Sequence, residues 1–377
     1  MSQVIKIAHT IPMGAGGISN LTLTINEKID RDQFQFNYIV FRSKHEFCDE
    51  RAQKLGSPKL IVDVENEKNP IIKGIKKIIG TISALKEESI QIMHIDASTP
   101  YDVIYAVAAK LAGVKIIIFH AHNDDYERVL NLRNLLMPLF RLLIPFTVTD
   151  YIATSEKAAH FLFPSKIVKT KNYMLLKNGI DVDKYVYNED TRKRYRLKYN
   201  LEGKFVVGHV GRFAYAKNHR FLIDVFYEIT KILPNSVLLL IGIGELQDSI
   251  KNKVNELGIG DKVIFWGATE DVANLLQAMD CFVFPSYFEG LPLATIEAQC
   301  SGLPTIVSEA VPVEAEITEC IKELSLNESA AFWASSVIDF SNRLVRSSQG
   351  EKIRENGFDI NEIAMRLEKF YKSKVKF

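Results

Sequence analysis

Short apolar runs alternate along this chain with longer segments of helical period, and the alternation predicts its architecture. In the first half, Val4 to His9, Phe36 to Phe41, Ile61 to Val64, Ile92 to Ile95, Val114 to Phe119, Tyr151 to Thr154 and Tyr173 to Leu176 read as strands. The second half repeats the plan with Phe205 to Val210, Val237 to Ile241, Val263 to Phe265, Cys281 to Phe284 and Thr305 to Val307. Between them, Ser19 to Ile29, residues 70 to 88, Tyr101 to Ala112 and Leu291 to Gln299 have helical length and spacing, the last closed by Gly302. Near-continuous apolar strands separated by helices belong to parallel sheets covered on both faces, so the fold class is α/β.

Residues 186 to 203 break this rhythm with a charged, polar stretch. The sequence therefore divides into a domain over 1–180, a connection over 181–203, a second domain over 204–350 and a terminal segment over 351–377 that reads as an amphipathic helix. A length of 377 residues suffices for two cores.

Composition narrows the function. Hydrophobic residues at 47% and charged residues at 25% describe a globular protein, and a net charge of +1 argues against a nucleic-acid partner. Residues 1–177 carry 23 Lys/Arg against 18 Asp/Glu, a surplus of +5, so this half is the one suited to an anionic partner. Helix 70 to 88 sets Lys73, Lys76 and Lys77 beside a wide isoleucine face, a pattern that suits either a solvated core helix or contact with an anionic bilayer. Residues 130 to 148 are apolar but interrupted by Arg133, Pro138, Arg141 and Pro145, too broken to span a membrane. They suit either core packing or the lining of an entrance to a site. The opening residues go straight into a strand and a glycine loop, which predicts a cytoplasmic protein, at most peripheral to the inner face of the plasma membrane. Cys48, Cys281, Cys300 and Cys320 are widely spaced, without C-x-x-C pairs or partnered histidines, so reduced thiols and no metal site are expected.

Candidate chemistry gathers where strands end. After Cys281 to Phe284, Pro285 and Gly290 open a loop before a helix whose start offers free N–H groups to an anion. Glu289 lies in the loop, and Glu297 lies on an otherwise apolar helix where a carboxylate needs a partner. GRFAYAKN follows Val210 directly, so Arg212 and Lys217 stand at the same sheet edge as Glu289, placed for a diphosphate. Gly242 and Gly244 are candidates to line a nucleotide pocket, with a plain turn as the alternative. His120 and His122 follow the strand Val114 to Phe119, while the loop PMGAGG carries Gly16 and Gly17 after the first strand. That loop is not G-x-G-x-x-G, and the second strand ends at Arg42 rather than an acid, so a dinucleotide site is weakly supported. Asp181 and Asp183 spell D-x-D but read as turn and capping residues.

The run PSYFEGLPLATIEAQCSGLP, with GRFAYAKN at 211 to 218, KNGIDVDKY at 177 to 185 and the first glycine loop, resembles the retaining glycosyltransferases of family 4 over nearly the whole chain. The resemblance implies a GT-B fold: two Rossmann-like domains whose parallel sheets face across a cleft, with acceptor in the first, donor in the second and the terminal helix crossing back. It further implies Arg212 and Lys217 on the donor diphosphate, Glu289 on the transferred sugar, Glu297 on the ribose and Gly290 and Leu291 at the phosphate. Gly16 and Gly17 approach the ligand, and His120 stands on the acceptor side. His122 and Asn123 are further candidates there, with Asp124 or Asp125 to receive the acceptor's proton. The expected reaction is metal-independent and retaining, from a nucleotide sugar, UDP being the commonest choice, to a saccharide acceptor, lipid-linked in the bacterial capsular and exopolysaccharide enzymes that SEAVPVEAEIT and FWA resemble. A GG pair common in the family after the strand at Thr305 to Val307 is replaced near Val311 and Pro312, which leaves subfamily and donor open. A nucleotide-sugar epimerase of the same fold, a nicotinamide-dependent oxidoreductase and a non-catalytic nucleotide-sugar-binding protein are the alternatives.

Overall fold

The computed structural model describes residues 4–122 and 132–375. Its contacts divide the chain into two units, Met1–Gly179 with Ile360–Phe377, and Ile180–Asp359. The first unit holds β1 (Ile5–His9), β2 (Phe34–Val40), β3 (Lys59–Ile61), β4 (Ile92–Ala97), β5 (Ile116–Ala121), β6 (Asp150–Ala153) and β7 (Met174–Leu175). They form one sheet in the order β3-β2-β1-β4-β5-β6-β7, with every neighbouring pair parallel. The second unit repeats this with β8 (Phe205–Val210), β9 (Ser236–Ile241), β10 (Val263–Gly267), β11 (Cys281–Phe284), β12 (Thr305–Ser308) and β13 (Ile321–Leu324), in the order β10-β9-β8-β11-β12-β13.

Both faces of each sheet are covered, which explains why the strands read as unbroken apolar runs. In the first unit, Ile95, Phe119 and Ile144 belong to the core on one face. Ile7, Phe36 and Tyr38 belong to the other, where Ile363, Leu367 and Tyr371 of the terminal helix Ile360–Lys374 complete it beside helix Gly17–Lys28. Tyr371 is fully buried there.

Where structure and sequence expectation differ, the cause is local. The third strand pairs over Lys59–Ile61 against Tyr38–Val40 rather than over 61 to 64. Val62 and Val64 are buried beyond it, so their apolar character reports burial rather than pairing. The edge strand Ile321–Leu324 was not expected, because only Leu324 in it is buried and no apolar run marks it. Residues 130 to 148 include a helix, Leu132–Thr147, that carries Pro138 and Pro145 inside it. Residues 181 to 203 contain helices Val182–Tyr185 and Glu189–Lys198 and belong to the second unit. Arg196 fastens the longer one to Asp280 at 3.0 Å, and Arg192 reaches the Met279 carbonyl at 2.7 Å.

Candidate functional site

In a doubly wound sheet the strand order reverses at one point, and the loops leaving the carboxyl ends of the two strands there diverge to leave a crevice. In the second unit that point lies between β8 and β11, which pair through Cys281–Val207 and Phe282–Gly208. The loop after β8 carries Arg212 and Lys217, and the loop after β11 carries Glu289. The topology thus brings to one place residues more than seventy positions apart in sequence.

Lys217 and Glu289 meet across this point. The lysine Nζ donates to Glu289 Oε1 at 2.7 Å and Oε2 at 2.9 Å, and it also lies 4.6 Å from the Phe284 ring centroid. Their side chains are 21% and 9% exposed, so the pair is largely shielded from water and its charges act at short range in a low dielectric. A backbone bond from Tyr287 N to the Ala216 carbonyl at 2.7 Å ties the two loops together. Two residues before each charge stands an exposed tyrosine, Tyr215 and Tyr287, stacked with ring centroids 4.9 Å apart. Sequence reasoning passed over these tyrosines, although their shared offset within GRFAYAKN and PSYFEG was visible.

Arg212 does not join this pair. Its guanidinium bonds Glu245 at 3.0 Å and remains 72% exposed, available to an incoming anion. The loop that carries it is shaped by Gly242 and Gly244. Gly242 has φ +136°, and a Cβ there would stand 2.1 Å from the Gly211 carbonyl oxygen. A Cβ on Gly244 would stand 2.5 Å from the Phe213 carbonyl. Both glycines are therefore accounted for by close backbone packing against residues 211–213.

The helix after β11 is Leu293–Cys300, with Pro292 at its N-cap, so Gly290 and Leu291 precede it rather than form its start. The first N–H groups that a bound anion would meet on the helix belong to Leu293 and Ala294. Gly302, φ +60°, follows the helix in the left-handed conformation that its position as terminator predicts. Glu297 finds the partner its apolar surroundings require in the Tyr185 hydroxyl, with Lys184 also near. Burial still dominates, pushing the Glu297 carboxyl up to about 7 against these two groups. Asp183 pairs with Arg354, and Asp181 occupies the N-cap position of Val182–Tyr185 without a side-chain capping bond, a correction to its expected role.

In the first unit, Gly16 and Gly17 are exposed at the start of helix Gly17–Lys28, with open space where a Cβ on Gly17 would lie. His120 is not at a surface. It is 3% exposed, and its Nδ1 is 3.0 Å from His94 Nε2, whose other nitrogen lies 2.6 Å from the Tyr371 hydroxyl. Burial holds both imidazoles below the usual histidine range, His94 down to about 3, so they are neutral at pH 7. A second pair of contacts joins His9 Nδ1 and His122 Nε2 to the buried Asp96 at 2.9 and 3.2 Å. The sequence expectation of unpartnered histidines is thereby corrected: β1, β4 and β5 lie side by side, and His9, His94, Asp96, His120 and His122 converge. The alternation of His94 and Asp96 along β4 was the available signal for this cluster. Asn123, Asp124 and Asp125 lie outside the described residues. Among the described residues no helix is long and apolar enough to cross a membrane.

Comparison with known proteins adds four findings. Residues 191–322 match the family model for glycosyl transferases group 1. EpsF of Bacillus subtilis, a protein named as a glycosyltransferase, is 29% identical over 341 residues, covering 88% of this chain and 86% of its own. The Escherichia coli UDP-Gal:alpha-D-GlcNAc-diphosphoundecaprenol alpha-1,3-galactosyltransferase is 28% identical over 317 residues, covering 81% of this chain and 79% of its own. In fold, the chain is similar to Anabaena HepE, solved in complex with UDP and glucose, with a TM-score of 0.78 over 98% of this chain and 100% of that one at 17% identity.

Proposed function

Because the chain is a glycosyltransferase of GT-B fold carrying a group 1 domain, we propose that it moves a sugar from a nucleotide donor, UDP-linked, to a lipid-linked saccharide acceptor during capsular or exopolysaccharide synthesis. The observation that carries the reading is the Lys217–Glu289 pair across the reversal point of the second sheet, with exposed Arg212 on the same loop as Lys217. Two similar proteins, one solved with UDP and one named as acting from UDP-Gal on a diphosphoundecaprenol-linked sugar, support the donor and the acceptor class.

Cleavage of the bond between sugar and diphosphate leaves negative charge on the departing phosphate. Lys217 and Arg212 neutralise that charge as it develops, and the start of helix Leu293–Cys300 adds N–H donors, so no metal is needed to stabilise the leaving group. Glu289, held by Lys217, orients the transferred sugar, and Glu297 accepts hydrogen bonds from the ribose hydroxyls. The sugar is transferred with retention at its anomeric carbon. Gly16 and Gly17 leave the first unit's loop bare enough to approach a ligand. His120 takes a positioning role, since its ring is buried against His94 and His122. The reaction belongs at the cytoplasmic face of a membrane, where a lipid-linked acceptor presents its sugar.

Saturation-transfer NMR with UDP-, GDP- and ADP-sugars in EDTA tests the donor site. One donor should bind, and Glu297→Ala and Arg212→Ala should each weaken it. Binding indifferent to both substitutions would overturn the site. Conversion of the donor sugar without acceptor would replace transfer by epimerisation.

A further inference from the structure

The first sheet reverses its strand order between β1 and β4. His9 pairs there in register with His94, and Asp96 on β4 pairs with His120 on β5. Register partners, and residues two apart along one strand, share a face of a sheet, so His9, His94, Asp96, His120 and His122 all lie on the same side. It is the side covered by the terminal helix: Ile7, Ile92 and Ile118, two positions earlier on the same three strands, pack in that core with Tyr371. Four of these groups come close enough to share one ion. His94 Nε2 lies 3.0 Å from His120 Nδ1 and 4.0 Å from Asp96 Oδ1, and His122 Nε2 lies 3.2 Å from the same carboxylate oxygen. Zinc bonds of about 2.0–2.1 Å arranged as a tetrahedron set ligand atoms about 3.3–3.4 Å apart. Outer contacts of the kind that orient metal ligands are also in place. The Tyr371 hydroxyl, 2.6 Å from His94 Nδ1, leaves Nε2 of that ring for the cluster, and His9 Nδ1 sits 2.9 Å from the second oxygen of Asp96.

Direct hydrogen bonds do not close this cluster. His9 Nε2, His120 Nε2 and His122 Nδ1 are buried with no partner among the described residues, which calls for a further species, water or ion. Charge decides between them. The Asp96 side chain is 3% exposed, yet among the described residues its ionic contacts are all with histidines and none is with Lys or Arg. A buried carboxylate needs a countercharge, which a water does not bring and a divalent cation does. Three imidazoles with one carboxylate suit zinc, whereas calcium and magnesium favour ligand sets of oxygen alone.

We propose that the first unit binds one zinc ion through His94, Asp96, His120 and His122, a closed site that ties the carboxyl ends of β4 and β5 together beneath the terminal helix. Its role is structural, and it takes no part in the leaving-group stabilisation assigned to Arg212 and Lys217. A chelator reaches buried ligands only as the unit opens, so turnover in EDTA is compatible with a retained ion. The untagged full chain, grown with zinc and dialysed, should carry about one zinc per chain by inductively coupled plasma mass spectrometry. Asp96→Ala and His120→Ala should each lower zinc affinity more than about tenfold, whereas His45→Ala and His160→Ala, at exposed histidines, should leave it unchanged. The parent chain decides the matter if the cluster variants fail to fold. Stripped of metal with dipicolinate, it should gain about 5–10 °C in melting temperature with zinc at about a hundredfold excess over its dissociation constant. Cobalt bound in its place should show the visible absorption of a tetrahedral site. A parent chain that carries no zinc and takes up none overturns the proposal, as does a melting temperature that zinc leaves unmoved. Folded Asp96→Ala that binds zinc like the parent overturns the ligand assignment, and a stoichiometric metal other than zinc overturns the choice of ion.

Discussion

Replacing Glu297 by glutamine tests the structure through its own acid–base chemistry. The carboxyl is raised from 4.5 to about 7 by burial, opposed by the Tyr185 hydroxyl and Lys184. Between pH 4.5 and 7 the unfolded chain has lost this proton and the folded chain keeps it. Stability must therefore fall as pH rises through that window, by ~1.4 kcal/mol per unit and about 3 kcal/mol in total, and then level off. Glutamine does not titrate, so the variant lacks this slope. At pH 5 the two proteins should differ little. At pH 8 the variant should be the more stable by up to about 3 kcal/mol, roughly 6–12 °C in melting temperature for a unit of this size. Paired thermal and urea unfolding of the parent chain and Glu297→Gln across pH 5 to 8.5 reads the difference directly. A difference independent of pH would refute the assigned burial. Ribose hydroxyls donating to the carboxylate would favour its charged form. UDP affinity should then rise from pH 6 to 8, with proton release measurable by calorimetry in buffers of different ionisation enthalpy.

Other expectations follow from the same geometry. Arg212→Ala should leave stability within ~0.5 kcal/mol, because its pair with Glu245 is exposed, yet weaken UDP binding about tenfold or more, read by titration calorimetry. Gly242→Ala forces a Cβ onto the Gly211 carbonyl in a left-handed conformation, so it should cost at least ~2 kcal/mol and also impair UDP binding through the arginine loop. Tyr371→Phe leaves His94 Nδ1 without its 2.6 Å partner in the first core and should destabilise by ~1–3 kcal/mol in urea, with UDP affinity retained. Turnover should persist in EDTA, and activity abolished by EDTA and restored by Mg²⁺ would refute metal-independent transfer.

Much of this protein was legible in its residues. Apolar runs that must be buried on both faces specify parallel strands, and their number and spacing specify two sheets. Arg212, Lys217 and Glu289 could be placed at one sheet edge because each directly follows an apolar strand. Glu297 could be singled out because a carboxylate on an apolar helix needs a partner. Which partner it has was not legible, since Tyr185 lies on a separate helix in a stretch that reads as connection. Pairing across the fold is likewise set by the tertiary structure. Lys217 bonds Glu289 while Arg212 bonds Glu245, a choice made by loop geometry that Gly242 and Gly244 enforce through contact with residues 211–213. His120 shows the same limit: its place at a strand end suggested a residue that reaches a cleft, but His94 and His122 from neighbouring positions of the sheet enclose it, and Tyr371 from the far end of the chain holds His94. Local pattern determines which segments are strands and which residues stand at their ends, because periodicity and propensity act over a few neighbours. Only the tertiary structure decides which of those ends meet, which charges pair and which faces stay uncovered, because these depend on strand order and on contacts between residues far apart in the chain.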